Sequence, residues 1–337
     1  MFASCGFGSK IKLGDSKIEE IEDGAFYNAD IEGELKLPKT LKKIGTGVFD
    51  HNKISKLVLP DSLEKVGDRA FYDNKIKVLR IIGIKDGYGM TVFNNNPIEE
   101  LTFAPNFKKV DVGMFGNCGF GNKINLVDSN IEEVCNGGFS SAGFTGKLKL
   151  PKTLKTLSID ALGFNKITSV EIPSSLKEIS NDAFGFNPIE KITFSDNVKV
   201  ISKGMFSGSF FSSGESCNAS NFEFSNKIDF ENSKIERIEE DAFYDCKFEG
   251  DIRFPKTLKY IEDNAFQSST FTTFEASTTL YLPPDCSYSD SSFGNMFEGK
   301  DKSIKIIGGV NRSPKKDDNN NADDNNKNKN GNNETIN

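Results

Sequence analysis

One nine-residue pattern, apolar-x-x-apolar-x-x-x-small-Phe, constrains this chain more than any other feature. It appears as IEEIEDGAF from Ile18 to Phe26, LKKIGTGVF from Leu41 to Phe49, LEKVGDRAF from Leu63 to Phe71 and FKKVDVGMF from Phe107 to Phe115. It recurs as IEEVCNGGF from Ile131, LKTLSIDAL from Leu154, LKEISNDAF from Leu176, VKVISKGMF from Val198, IERIEEDAF from Ile235 and LKYIEDNAF from Leu258. Most starts lie 22 to 24 residues apart. The longer step after Leu63 holds a degenerate copy ending in Met90 to Phe93, and the one after Val198 an insertion around Phe210 to Asn221. A unit of this length cannot bury its apolar face alone, so a fixed period of it predicts a solenoid held together by stacking.

A second pattern alternates with the first. ISKLVLP (Ile54 to Pro60), IKVLRI (Ile76 to Ile81), IEELTF (Ile98 to Phe103), ITSVEIP (Ile167 to Pro173) and IEKITF (Ile189 to Phe194) each end in alternating apolar and polar residues, which reads as a short half-buried strand. Asn52, Asn74, Asn96, Asn165 and Asn187 precede these strands, where an amide side chain can satisfy a tight bend and left-handed backbone is tolerated. Pro38, Pro60, Pro151, Pro173 and Pro255 close strands, because proline has no ladder donor. A longer period is superposed: KIKLGDSKIEEI, KINLVDSNIEEV and KIDFENSKIERI align at Lys10, Lys123 and Lys227, each followed by LPKTLK or FPKTLK. The expected organisation is a mostly β solenoid over 1–310, in blocks of about 1–114, 115–205 and 206–300, with short parallel strands, short helical or 3-10 turns and little regular α-helix. The tail 311–337, Asn-rich and almost without apolar residues, is expected to be disordered.

Composition agrees with a repeated role for one residue type. There are 30 Phe but no Trp and a single His. The phenylalanines that close the nine-residue pattern are expected to stack as an internal column. Asp68, Asp182, Asp241 and Asp263, just before that Phe, are expected to cap short helical turns. One histidine leaves no material for multi-histidine metal centres or triad chemistry, so no metal or cofactor site is expected. His51 lies in a bend and is expected to be structural. The net charge of -7 argues against nucleic acid as a partner. Six cysteines without a C-x-x-C pair read as packed thiols. No stretch approaches the ~20 apolar residues of a membrane-spanning helix, and no secretory leader is visible at the start. The opening Met1-Phe2 resembles the block seam at Met114-Phe115, so further coils are expected upstream.

The combined unit, as in ISKLVLPDSLEKVGDRAF (Ile54 to Phe71) or ITSVEIPSSLKEISNDAF (Ile167 to Phe184), resembles the BspA-type, or Treponema pallidum class, leucine-rich repeat. That resemblance implies a leucine-rich-repeat solenoid, non-catalytic, engaging host matrix or cell-surface proteins from the surface of a bacterium or parasitic protist. An intracellular scaffold is the alternative. The working surface is expected on the outward strand positions, with Ser55, Lys56, Lys77, Arg80, Glu99, Thr102, Thr168, Glu171, Glu190 and Thr193 as candidate partner contacts. Parallel coils also host polysaccharide-degrading enzymes, a remote alternative that requires two carboxylates at fixed separation. Glu99 and Glu100 are adjacent in sequence and are expected to diverge or splay at a bend.

Overall fold

Each repeat folds into one coil, and about 11 coils stack into a parallel-strand solenoid with essentially no helix. The computed structural model describes residues 2–180, 182–189, 191–206, 223–224, 230–244, 247–249, 251–267, 270–272, 279–297 and 305–313. The insertion around Phe210 to Asn221, Cys217, Cys246 and the expected tail beyond Ser313 lie outside these. Asn311, placed at the start of that tail from sequence, belongs to the strand Val310–Asn311, which pairs with Ser287–Tyr288.

Two sets of parallel strands run along the stack. One consists of two-residue strands cut from the nine-residue pattern, such as Glu20–Ile21, Lys43–Ile44 and Lys65–Val66, which pair so that Ile21, Ile44 and Val66 stand in line, buried. The other set is longer. Glu32–Lys36, Lys53–Val58, Val78–Ile81 and Glu100–Phe103 form a four-stranded sheet, here called the first face; Thr145–Lys149, Lys166–Ile172 and Lys191–Phe194 form a three-stranded one, the second face. Alternate residues, such as Leu35, Leu57 and Leu79, point into the core and the others outward.

The phenylalanine column is present and longer than expected. Phe2, Phe26, Phe49, Phe71, Phe93, Phe115 and Phe139 stack ring on ring, with centroids 5.4 to 5.8 Å apart. Leu162 takes the next place. The column resumes through Phe184, Phe206, Phe243, Phe266 and Phe293. Phe206 and Phe243 are 5.4 Å apart although 37 residues separate them, so the ring stack continues across this longer step.

The turn around each Phe is not the helical turn expected. Two positions before the ring the backbone is left-handed in coil after coil, at Gly24, Gly47, Arg69, Thr91, Gly113, Gly137, Asp160, Asp182, Gly204, Asp241 and Asn264. Two positions after it the same holds at Asn28, His51, Asp73, Asn95, Asn117, Ser141, Phe164 and Phe186. Such a doubly left-handed turn aims alternate amides toward the next coil: Gly47, Phe49 and His51 donate to the carbonyls of Asp68, Ala70 and Tyr72, while Asp50 donates to Gly47 of its own turn. The aspartates follow suit. Asp68 accepts the N–H of Met90 at 2.8 Å, and Asp263 accepts the Ser289 hydroxyl, so both tie one coil to the next. Asp182 and Asp241 occupy the left-handed position itself. The only helical element among the described residues is the 3-10 stretch Asp290–Phe297.

The asparagines before the strands are buried crosslinks. Asn74, fully buried, donates its amide to the carbonyls of Phe49, Phe71 and Tyr72 and accepts the N–H of Ile54. Asn52, Asn96, Asn165 and Asn187 repeat this arrangement. They are not left-handed; the residue before each one is, which aims the amide inward. In the next coil Cys118 stands in the same place, its thiol donating to the Phe93 carbonyl. The prolines work as read: the carbonyls of Pro38, Pro60, Pro151, Pro173 and Pro255 each accept the N–H three residues on. The LPKTLK motif gains a reason too, since the Thr40, Thr153 and Thr257 hydroxyls donate to the carbonyls of Ile18, Ile131 and Ile235 one coil back.

Removing one central ring leaves a cavity between two neighbours, so Phe71→Ala is expected to lower stability by ~3–5 kcal/mol in a denaturant titration. Asn74→Asp places a carboxyl where three carbonyls need donors. Burial raises its folded pKa above the unfolded value, so the folded state binds more protons over that window. Stability of this variant is therefore expected to fall as pH rises from 4 to 7, relative to the wild type, when followed by thermal melts at several pH values.

Candidate functional site

The outward positions of the long strands form a surface whose rows are set by register. On the first face Glu34, Lys56, Val78 and Glu100 share one row, and Lys36, Val58, Arg80 and Thr102 the next. Ser55 and Thr168 are extra residues, skipped where the register shifts next to Gly33 and Gly146, whose φ values are +79° and +70°. Lys77 falls short of the row of Lys56. It sits instead between Ser55, whose carbonyl accepts its N–H, and Glu99, which bonds both its carbonyl and its ammonium. Glu99 and Glu100 are both exposed at the strand entry, where the N–H groups of both donate to the Lys77 carbonyl, and the Glu99 carboxylate is taken up by the Lys77 ammonium.

On the second face Lys147, Ser169 and Lys191 share a row, and Lys149, Glu171 and Thr193 the next. Glu190 lies outside the described residues. The candidate contacts thus divide between two sheets. Ser55, Lys56, Lys77, Arg80, Glu99 and Thr102 are gathered on the first and Thr168, Glu171 and Thr193 on the second.

Lys36 apart, the basic residues of the first face are compensated from neighbouring coils. Lys56 pairs with Glu34 at 3.2 Å, Lys77 with Glu99 at 3.2 Å, Arg80 with Asp61 at 3.4 Å and Lys53 with Asp30 at 2.8 Å. Hydrogen bonding to Asp30 pushes the Lys53 ammonium pKa up. At the C-terminal ends of three of these strands lies an open groove of about 660 Å³, lined by Glu34, Lys36, Leu37, Val58, Pro60 and Arg80. Val58, 45% exposed, is an apolar side chain pointing outward on a strand where polar residues are the rule.

Sequence reasoning missed Glu34, Lys36, Lys147 and Lys149. The segments GELKLP and GKLKLP end in the same alternation as KLVLP, a signal that the different spacing upstream of them obscured.

Three of the thiols are chemically quiet. Burial pushes Cys118 and Cys286 up to about 12 and Cys135 to about 11, so each stays protonated near neutrality and is a poor nucleophile. Burial also raises the carboxyls of Asp111 and Asp160, which sit in different coils. Among the described residues no three His, Cys, Asp or Glu side chains converge as a metal ion would require, and no helix is long and apolar enough to cross a membrane.

Stacked parallel coils, an internal ring column and an outward strand face define a leucine-rich-repeat solenoid. The model of the BspA-type leucine-rich repeat region, in six copies, matches residues 1–121, 86–212 and 213–308, and the chain belongs to that family. No curated protein matches. Similar solved structures include a leucine-rich repeat protein from Bacteroides ovatus, 17% identical with a TM-score of 0.48, covering 86% of this chain and 82% of its own. A leucine-rich cell surface protein from Faecalibacterium prausnitzii is 16% identical with a TM-score of 0.34, covering 86% and 83%. The pneumococcal vaccine antigen PcpA is 15% identical with a TM-score of 0.41, covering 88% and 84%.

Because the face cations are paired across coils, neutralising and reversing them have different outcomes. Exposed pairs contribute ~0–1 kcal/mol each. The triple change Lys56→Gln, Lys77→Gln, Arg80→Gln is therefore expected to leave the melting temperature nearly unchanged. Reversal of the same three to Glu sets like charges across adjacent rungs and lowers the melting temperature measurably at low salt, with recovery at high salt.

Proposed function

We propose that this solenoid is a non-catalytic protein-binding module, displayed on a cell surface or secreted, which holds a partner protein at the groove of its first face. The observation that carries this reading is the groove itself. An outward Val58 beside Leu37 and Pro60 supplies an apolar centre, and Glu34, Lys36, Asp61 and Arg80 supply a charged rim, the distribution typical of protein interfaces. Lys56, Lys77, Glu99 and Thr102 extend the rim along the sheet, while Ser55 borders it at the bulge. A stacked sheet presents many such positions at fixed spacing, so weak contacts sum. The surface location follows the family resemblance.

An intracellular scaffold is the second reading, favoured by the free thiols of Cys5, Cys118, Cys135 and Cys286, a state at home in a reducing compartment.

Val58→Asp puts a charge in the apolar centre without touching the core. Binding of the purified protein to immobilised extracellular-matrix proteins is expected to weaken at least ~10-fold, about 1.4 kcal/mol, with an unchanged melting temperature. Equal binding by the two proteins would remove the groove from the interface. Antibody to the coils is expected to label intact cells; labelling only after permeabilisation favours the scaffold.

A further inference from the structure

The second face differs from the first in its charge balance. Its three strands carry Lys147, Lys149, Lys166 and Lys191 against one carboxylate, Glu171. All four lysines are exposed, and among the described residues none is in an ion pair, whereas on the first face Lys53, Lys56 and Arg80 are paired and Lys36 alone is not. In a chain with net charge -7 this leaves a local excess of cations that no acid among the described residues pairs with. Register fixes the spacing. Lys147 and Lys191 stand on either side of Ser169 in one row, two coils apart, about 10 Å. Lys149 shares the next row with Glu171 and Thr193.

We infer that this face binds a sulfated or carboxylated linear polysaccharide, a ligand class distinct from the protein partner of the groove. Charge complementarity points to an anion, and the surface chemistry to the kind of anion. The outward side chains of the three strands are lysines, one glutamate and the hydroxyls of Thr145, Ser169 and Thr193, without one exposed aromatic or large aliphatic residue. Protein interfaces are centred on aromatic and aliphatic anchors and are poor in lysine, so on these strands an acidic peptide would find charge but no apolar anchor. A hydrated polymer needs no such anchor. Ammonium groups carry three donors and hold their water well, suiting sulfate or carboxylate groups approached through solvent, and the hydroxyls between them can pair with sugar hydroxyls. Regular spacing along the stack matches a chain whose anions also recur at a fixed interval.

The test is titration of the full chain with heparin, with polyglutamate and neutral dextran alongside. The quadruple change Lys147→Gln, Lys149→Gln, Lys166→Gln, Lys191→Gln is compared with a control carrying the same charge change at and just before two of the two-residue strands, Lys42→Gln, Lys43→Gln, Lys108→Gln, Lys109→Gln. The wild type is expected to bind heparin with a steep salt dependence and not dextran. The quadruple variant is expected to lose at least ~10-fold in affinity with a shallower salt slope, the control less than ~2-fold. Thermal melts report that the variants are folded; if the quadruple one is not, Lys147→Gln with Lys191→Gln supplies the reading. Absence of heparin binding by the wild type, equal loss in the two variants, or tighter binding of polyglutamate than of heparin would each overturn the assignment. None of these outcomes bears on binding at Val58, so the two sites stand or fall separately.

Discussion

Each coil depends on the next one to satisfy its backbone and cover its phenylalanine. The turn that carries the ring is left-handed at both shoulders, which sends alternate amides out along the stack: Phe49 to Ala70, Phe71 to Val92, Phe93 to Met114. Ring stacking and these bonds share one translation, so neither forms without the other. A single coil has no way to pair those donors or bury that ring, and cooperativity between neighbours follows.

The buried asparagines complete the same logic from inside. An amide at Asn52, Asn74 or Asn96 offers donors and an acceptor together, meeting carbonyls from its own turn and the preceding one as well as an amide from the preceding strand. Bulky residues at the adjoining left-handed position, Phe164 and Phe186, run against the preference of that conformation for Gly, Asn and Asp. The neighbouring Asn165 and Asn187 hold the turn regardless, each with three bonds from its amide nitrogen. With the interior settled this way, outward strand positions are left to vary. The two faces use that freedom differently: the first pairs most of its cations and exposes Val58, and the second leaves its strand lysines without ion pairs among the described residues.

Much of the fold was legible because it rests on local pattern. The spacing of Phe26, Phe49 and Phe71 counts the coils, and the alternation in KLVLP marks a strand. The role of Asn74 was read only in part, since the carbonyl of Phe49 that it binds lies 25 residues away. The aspartates were misread as helix caps for the same reason: the amide that Asp68 accepts belongs to Met90, in the next coil. For the working surface, the outward residues of each strand could be read, but not their neighbours. Lys56 and Lys77 look like one basic patch along the chain, yet they stand in different rows, each paired to an acid of an adjoining coil.

The sequence by itself determined the period, the identity of the core residues and the strand faces, because periodic burial depends on order along the chain. Only the tertiary structure decided which charges neutralise each other, which stay free and where the groove opens. Those properties belong to contacts between residues about one coil apart, and a shift of register by a single residue, as at Gly33 and Gly146, changes every partner in the row.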